Sequence, residues 1–184
     1  ILGQSAESLR EIGGAEVRPI LLDDVLRYPY KLGEDADIIV TTQTHAAELE
    51  KAILEEKKLM RAALALRPES VREIAALLPT EKVGIACKSL RFGGLMKAAL
   101  ESYSRAECGT TVFTFGSGLS DYLADKSAVL LPENYENFCS LEEANVLRTF
   151  GESRMLIKCG YRADQGTLIA LEERIKAVKE EKKL

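Results

Sequence analysis

An α/β fold in two similar halves, each with a parallel sheet, is what this sequence predicts, on three observations. Short apolar, β-rich runs alternate with longer stretches of helical period, the pattern of parallel strands joined by crossover helices. The runs stay apolar on successive residues, as strands buried on both faces do; Val83, Ile85, Ala86 and Cys87 make one such run. The order strand, helix, strand, helix, strand, helix also occurs twice along the chain.

In the first half, strands are expected at 1–2, 16–22, 37–41 and 61–66, with helices at 6–12, 44–55 and 70–78. The second half repeats the order with strands at 82–87, 111–115, 127–131 and 154–160 and helices at 92–104, 119–124, 141–148 and 166–181. Ile1, Leu2 and Ser5 match Ile85, Ala86 and Ser89; Ile38, Ile39 and Val40 match Ala128, Val129 and Leu130; Arg67 matches Arg162. The last helix carries Leu168, Leu171, Ile175 and Val178 at three- and four-residue steps, one apolar stripe on a charged rod. Pro79, Thr80 and Glu81 form a Pro-containing polar break and the expected joint, giving halves 1–79 and 80–184. Such a pair is Rossmann-like or periplasmic-binding-like, with a cleft between the halves. The chain opens on Ile1 in what reads as the end of a strand, so further strand residues are expected to precede it.

Bulk properties narrow the function classes. A chain of 184 residues with 46% hydrophobic content can bury a full core. Its formal net charge of -4, with basic residues interleaved with acids over 176–183, offers no footprint for a nucleic-acid backbone. Cys87, Cys108, Cys139 and Cys159 form no CxxC pair and read as reduced structural thiols, which points to a cytoplasmic protein. No apolar run reaches the ~20 residues that span a bilayer.

Ligands of open parallel sheets collect beyond the carboxyl ends of the strands. Those positions here are rich in hydroxyls, amides and cations, and the candidate ligand residues are Ser5, Thr42, Arg67, Lys88, Ser89, Ser117 and Arg162. Such a set suits a small polar or anionic molecule. Each residue has a plainer alternative. Ser5 and Ser89 are good helix N-caps, Gly116, Ser117 and Gly118 make a tight turn, and Arg67 and Arg162 are free to pair with local acids. No catalytic residue, metal site or cofactor is expected. His45 is the lone histidine, and zinc wants three or four ligands.

Residues 41–45 resemble the Cys-Asn-Thr-x-His motif of aspartate and glutamate racemases, but Thr41 and Thr42 stand where that chemistry needs a thiol. The broader resemblance is carried by residues 35–42 with His45, by 82–87, and by the run from Tyr161 to Leu168 with its Asp-Gln-Gly-Thr-Leu element. On these the chain resembles the C-terminal effector domain of bacterial GntR-type transcription regulators. That resemblance implies an upstream winged helix that binds DNA, a small effector bound by this part, and a homodimer. The alternatives are a free-standing periplasmic-binding-type protein and a degenerate racemase-like enzyme.

Overall fold

The computed structural model describes residues 15–32, 36–51 and 58–183. In chain order its elements are α1 (Leu22–Arg27), a 3-10 turn (Pro29–Leu32), β1 (Ile39–Thr42), α2 (Gln43–Glu50), β2 (Leu59–Ala62), β3 (Leu64–Leu66) and α3 (Pro68–Ala75). Then follow β4 (Lys82–Cys87), α4 (Leu90–Tyr103), β5 (Glu107–Thr114), α5 (Leu119–Leu123), β6 (Ala128–Pro132), a 3-10 turn (Tyr135–Asn137) and α6 (Leu141–Gly151). The last elements are β7 (Met155–Cys159), β8 (Tyr161–Ala163) and α7 (Gln165–Glu181). Leu66–Gly160 forms one compact unit, and the residues before and after it form the other. The joint expected at Pro79 to Glu81 therefore falls inside a unit, because α3 packs against α4 and β7.

In the 66–160 unit a four-stranded sheet runs in the order β5-β4-β6-β7, with every pair parallel. Central β4 and β6 are buried along almost their whole length, which explains why their residues are apolar on both faces. Alternate side chains then sort to two layers. Ala86, Val129 and Leu131 join Leu119 and Leu123 of α5 and Leu147 and Phe150 of α6 in one cluster. Helix α4 covers the opposite face of β4 and β5. It comes so close at Gly93 that a Cβ there would collide with Val112 Cγ1 and stand 3.1 Å from Cys87 Sγ, whereas one on Gly94 would meet nothing within 4 Å.

The β4-β5 ladder slips, so that Val83 faces Cys108 but Ile85 faces Val112. Tyr122 of α5 fills the resulting gap. Its hydroxyl accepts from the Ile85 N–H at 2.9 Å and donates to the Thr111 carbonyl at 3.0 Å. The end of α5 is held in turn by Arg154, whose guanidinium donates to the Leu123 and Lys126 carbonyls at 2.8 and 3.0 Å.

In the other unit β1 and β2 pair in parallel, Ile39 opposite Leu59, and β3 pairs with β8. The single strand expected over 61–66 is thus two strands with different partners. The switch occurs at Ala63, whose N–H donates to Thr167 Oγ1 and whose carbonyl accepts from the Asp164 N–H, both at 3.0 Å. Asp164 caps α7 by accepting from the Thr167 N–H at 2.6 Å, a bond that holds its carboxyl below the usual aspartate range. The Asp-Gln-Gly-Thr-Leu element is accordingly a helix start tied to a strand switch. Leu171 and Ile175 of the predicted stripe are buried on α7.

The strand expected at 16–22 is absent. Residues 15–21 are irregular and α1 begins at Leu22, consistent with Pro19, which cannot donate to a ladder, and with Asp23 and Asp24 at the helix start. The apolar run 154–160 ends as β7 at Cys159, and β8 after it is separate. The strand at 1–2, the helix at 6–12 and the last residues of the helix at 44–55 lie outside the described residues. Among the described residues no helix is long and apolar enough to cross a membrane.

Two predictions follow from this packing. Gly93→Ala should destabilise the protein by about 1–3 kcal/mol through overpacking, while Gly94→Ala should be neutral or stabilising by up to about 1 kcal/mol through helix propensity; urea unfolding of the pair checks both. Tyr122→Phe should cost about 1–3 kcal/mol, because backbone groups at the slip lose their partner, with the same assay as readout.

Candidate functional site

A strand order of β5-β4-β6-β7 means that the chain leaves β4 toward one edge and returns on the other side at β6. The loops after β4 and β6 therefore part at that point, and in open α/β sheets such a divergence leaves a crevice beyond the strand ends. Lys88 and Ser89 follow β4, Ser117 follows β5, and Glu133 follows β6. Arg67, at the N-cap of α3, donates its N–H to the Gly160 carbonyl at 2.8 Å and so sits just past the end of β7.

Local physics positions each group. Ser89 caps α4 by accepting from the Phe92 N–H at 3.4 Å, as its cap reading expects. Gly118 precedes α5 with φ 92, in the left-handed region that favours glycine, so Gly116 to Gly118 is a tight turn with Ser117 exposed on it. That turn is anchored from α6. Glu143 is buried, accepts from the Gly116 N–H at 2.5 Å with one oxygen and from the Ser140 N–H at 2.7 Å with the other, and completes a capping box.

The rim holds a cavity of about 380 Å³ beside α3 and β7. Arg67, Glu69, Ser70 and Glu73 line it from the helix side, and Glu133, Leu156 and Lys158 from the sheet. Ser70 fastens the two walls: its hydroxyl donates to the Lys158 carbonyl at 2.9 Å and accepts from the Gly160 N–H at 3.1 Å. The Arg67 guanidinium is paired with Glu133 Oε1 at 3.1 Å. Lys158 is likewise engaged, its Nζ 3.2 Å from Glu136 Oε1 and 5.3 Å over the Tyr135 ring. Glu133 Oε2 has no solvent contact and no hydrogen-bond partner among the described residues. Below the cavity, burial pushes the Cys159 thiol up to about 12, and the Glu73 carboxylate adds to that shift, so this sulfur stays protonated and unreactive.

Of the seven sequence candidates, Arg67, Lys88, Ser89 and Ser117 stand at the strand-end rim of the 66–160 unit, and Arg67 alone of these lines the cavity. Thr42 ends β1 in the other unit, without a side-chain cap bond to α2, and Arg162 is the exposed middle residue of β8. Ser5 lies outside the described residues. His45 is half-exposed and faces Glu48 at 3.4 Å. Among the described residues no group of three or more His, Cys, Asp or Glu side chains is placed to hold a metal ion. Sequence reasoning passed over Glu69, Glu73 and Lys158. Their signal was present, as two acids one helical turn apart on α3 and a cation inside an apolar strand.

Gly160 has no positive φ to explain it; its reason is space. A Cβ there would stand 2.6 Å from Glu133 Oε2 and 2.9 Å from Arg67 Cδ. Gly160→Ala should therefore displace the Arg67–Glu133 pair and cost about 1–3 kcal/mol, seen as a lowered midpoint in thermal or urea unfolding.

With the fold and its rim in place, comparison with known proteins gives one match. A family model described as the YmtS Rossmann-like domain matches residues 84–182, just over half of the 184. Neither a curated protein nor a solved structure matches the chain. The matched span starts in β4, the first strand of the parallel sheet, and runs through β5, β6 and β7 to α7. On that match and that sheet, the chain belongs to the YmtS Rossmann-like domain family.

Proposed function

We propose that this chain is the effector-sensing part of a bacterial transcription regulator of the GntR type, cytoplasmic and dimeric, which binds a small polar molecule rather than transforming one. The observation that carries the reading is the divergence of the loops after β4 and β6, with Lys88 and Ser89 beyond one strand and the Arg67–Glu133 pair beside the other. Beside it, the cavity flanked by α3 and β7 shares Arg67 and Glu133 with this rim and falls within the size range of small-molecule sites. Ser117, in the loop after β5, belongs to the proposed ligand set with Arg67, Lys88 and Ser89.

The mechanism is a population shift. A ligand that binds one arrangement of the domain better than another changes their ratio, and attached DNA-binding segments follow. At a net charge of -4 the chain itself is expected not to grip the duplex.

Thermal shift against a panel of small polar metabolites tests this reading. A ligand present at a hundred times its dissociation constant should stabilise the chain by about 2.7 kcal/mol, and Arg67→Ala should reduce that gain. A panel without a single stabilising ligand would overturn the proposal. So would amino-acid racemisation by the chain, which would favour the enzyme alternative, or salt-sensitive binding of duplex DNA by this segment.

A further inference from the structure

We infer that Glu143 links the strand-end rim to helix α6, so that the turn carrying Ser117 and the first turn of α6 tighten and loosen together. The basis is one buried carboxylate shared by two elements. Glu143 is only 8% exposed, and a carboxylate taken out of water is costly unless its oxygens are satisfied. One oxygen accepts from the Gly116 N–H at 2.5 Å, on the turn, and the other from the Ser140 N–H at 2.7 Å, at the start of α6. An ionised carboxylate can only accept. Moving either element away would therefore strand an oxygen in the interior.

The backbone around the turn shows why this link matters. The Phe115 N–H donates to the Cys87 carbonyl at 3.1 Å, next to the sheet, and the Gly118 carbonyl accepts from the Tyr122 N–H at 3.0 Å to open α5. Between these points Gly116, Ser117 and Gly118 are exposed, and the two glycines bring little conformational preference of their own. A turn so built takes its order from the carboxylate that reaches it. On the helix side, Ser140 Oγ accepts from the Glu143 N–H at 3.2 Å and fixes the backbone from which that carboxylate extends. Coupling of this kind is reciprocal. A ligand that fixed Ser117 would steady the start of α6, and fraying of α6 would loosen the rim.

Amide hydrogen exchange on the whole chain, read residue by residue by NMR, tests the link, with buried Val129 and Leu130 of β6 as the reference for global opening. Glu143→Gln should speed exchange at Gly116 about tenfold or more, the size expected when a hydrogen bond to a charged group is lost. Ser140→Ala separates a link from a mere anchor, because the hydroxyl it removes bonds the Glu143 N–H and not the turn. It should still speed exchange at Gly116 by about threefold or more, in keeping with the loss of a helix cap, while the β6 amides stay as they are. Ser102→Ala, which removes an exposed hydroxyl on α4, should leave Gly116 unchanged. Ser140→Ala carries the test alone if Glu143→Gln does not fold. Unchanged exchange at Gly116 in either variant, or a rise at Gly116 no larger than the rise in β6, would overturn the inference.

Discussion

Everything in the 66–160 unit depends on the burial of β4 and β6 from both sides. A strand shut away from water on two faces must satisfy its backbone on neighbouring strands and present apolar side chains in both directions. β4 does so with Val83, Ile85 and Cys87 on one side and Ala86 on the other, and β6 with an unbroken buried run from Ala128 to Pro132. The two layers of helices follow from that demand. So does the small size of the contact residues: a glycine at position 93 lets α4 settle onto Val112, and a Cβ at position 84 would crowd Tyr122, whose Cε1 would lie 3.1 Å away.

Polar groups enter this core where a backbone needs them. Tyr122 bridges the slipped register of β4 and β5, Glu143 holds the turn after β5, and Ser70 locks α3 to the end of β7. Each lies near a discontinuity and satisfies backbone groups that the sheet or helix leaves open. Two of the three, Glu143 and Ser70, stand at the carboxyl edge of the sheet. A rim held by satisfied, buried hydrogen bonds is preorganised, and a ligand that binds there has less disorder to remove.

The electrostatics of the rim follow the same economy. Arg67 and Glu133 compensate each other, and Gly160 exists in its present form because their side chains occupy the space beside it. Both cations that line the cavity are therefore paired with carboxylates, a balance that composition and spacing alone do not disclose.

The sequence by itself determined the alternation of strands and helices in the second half. The uninterrupted apolar runs at 82–87 and 127–131, the cap at Ser89, and the stripe on the last helix are local features, and local features survive in one dimension. It also contained the strand-end hydroxyls and cations, Lys88, Ser89, Ser117 and Arg67. Tertiary structure alone decided the rest. The run 61–66 became two strands because Ala63 is tied to Asp164 and Thr167, a hundred residues away; residues 15–21 stayed irregular although apolar residues recur among them. Arg67 acquired Glu133 as its partner across 66 positions, and Lys158 acquired Glu136. The charge of a site is the sum over groups that the fold brings within a few ångströms of each other, and that sum is set by pairing in space, which periodicity along a chain does not encode.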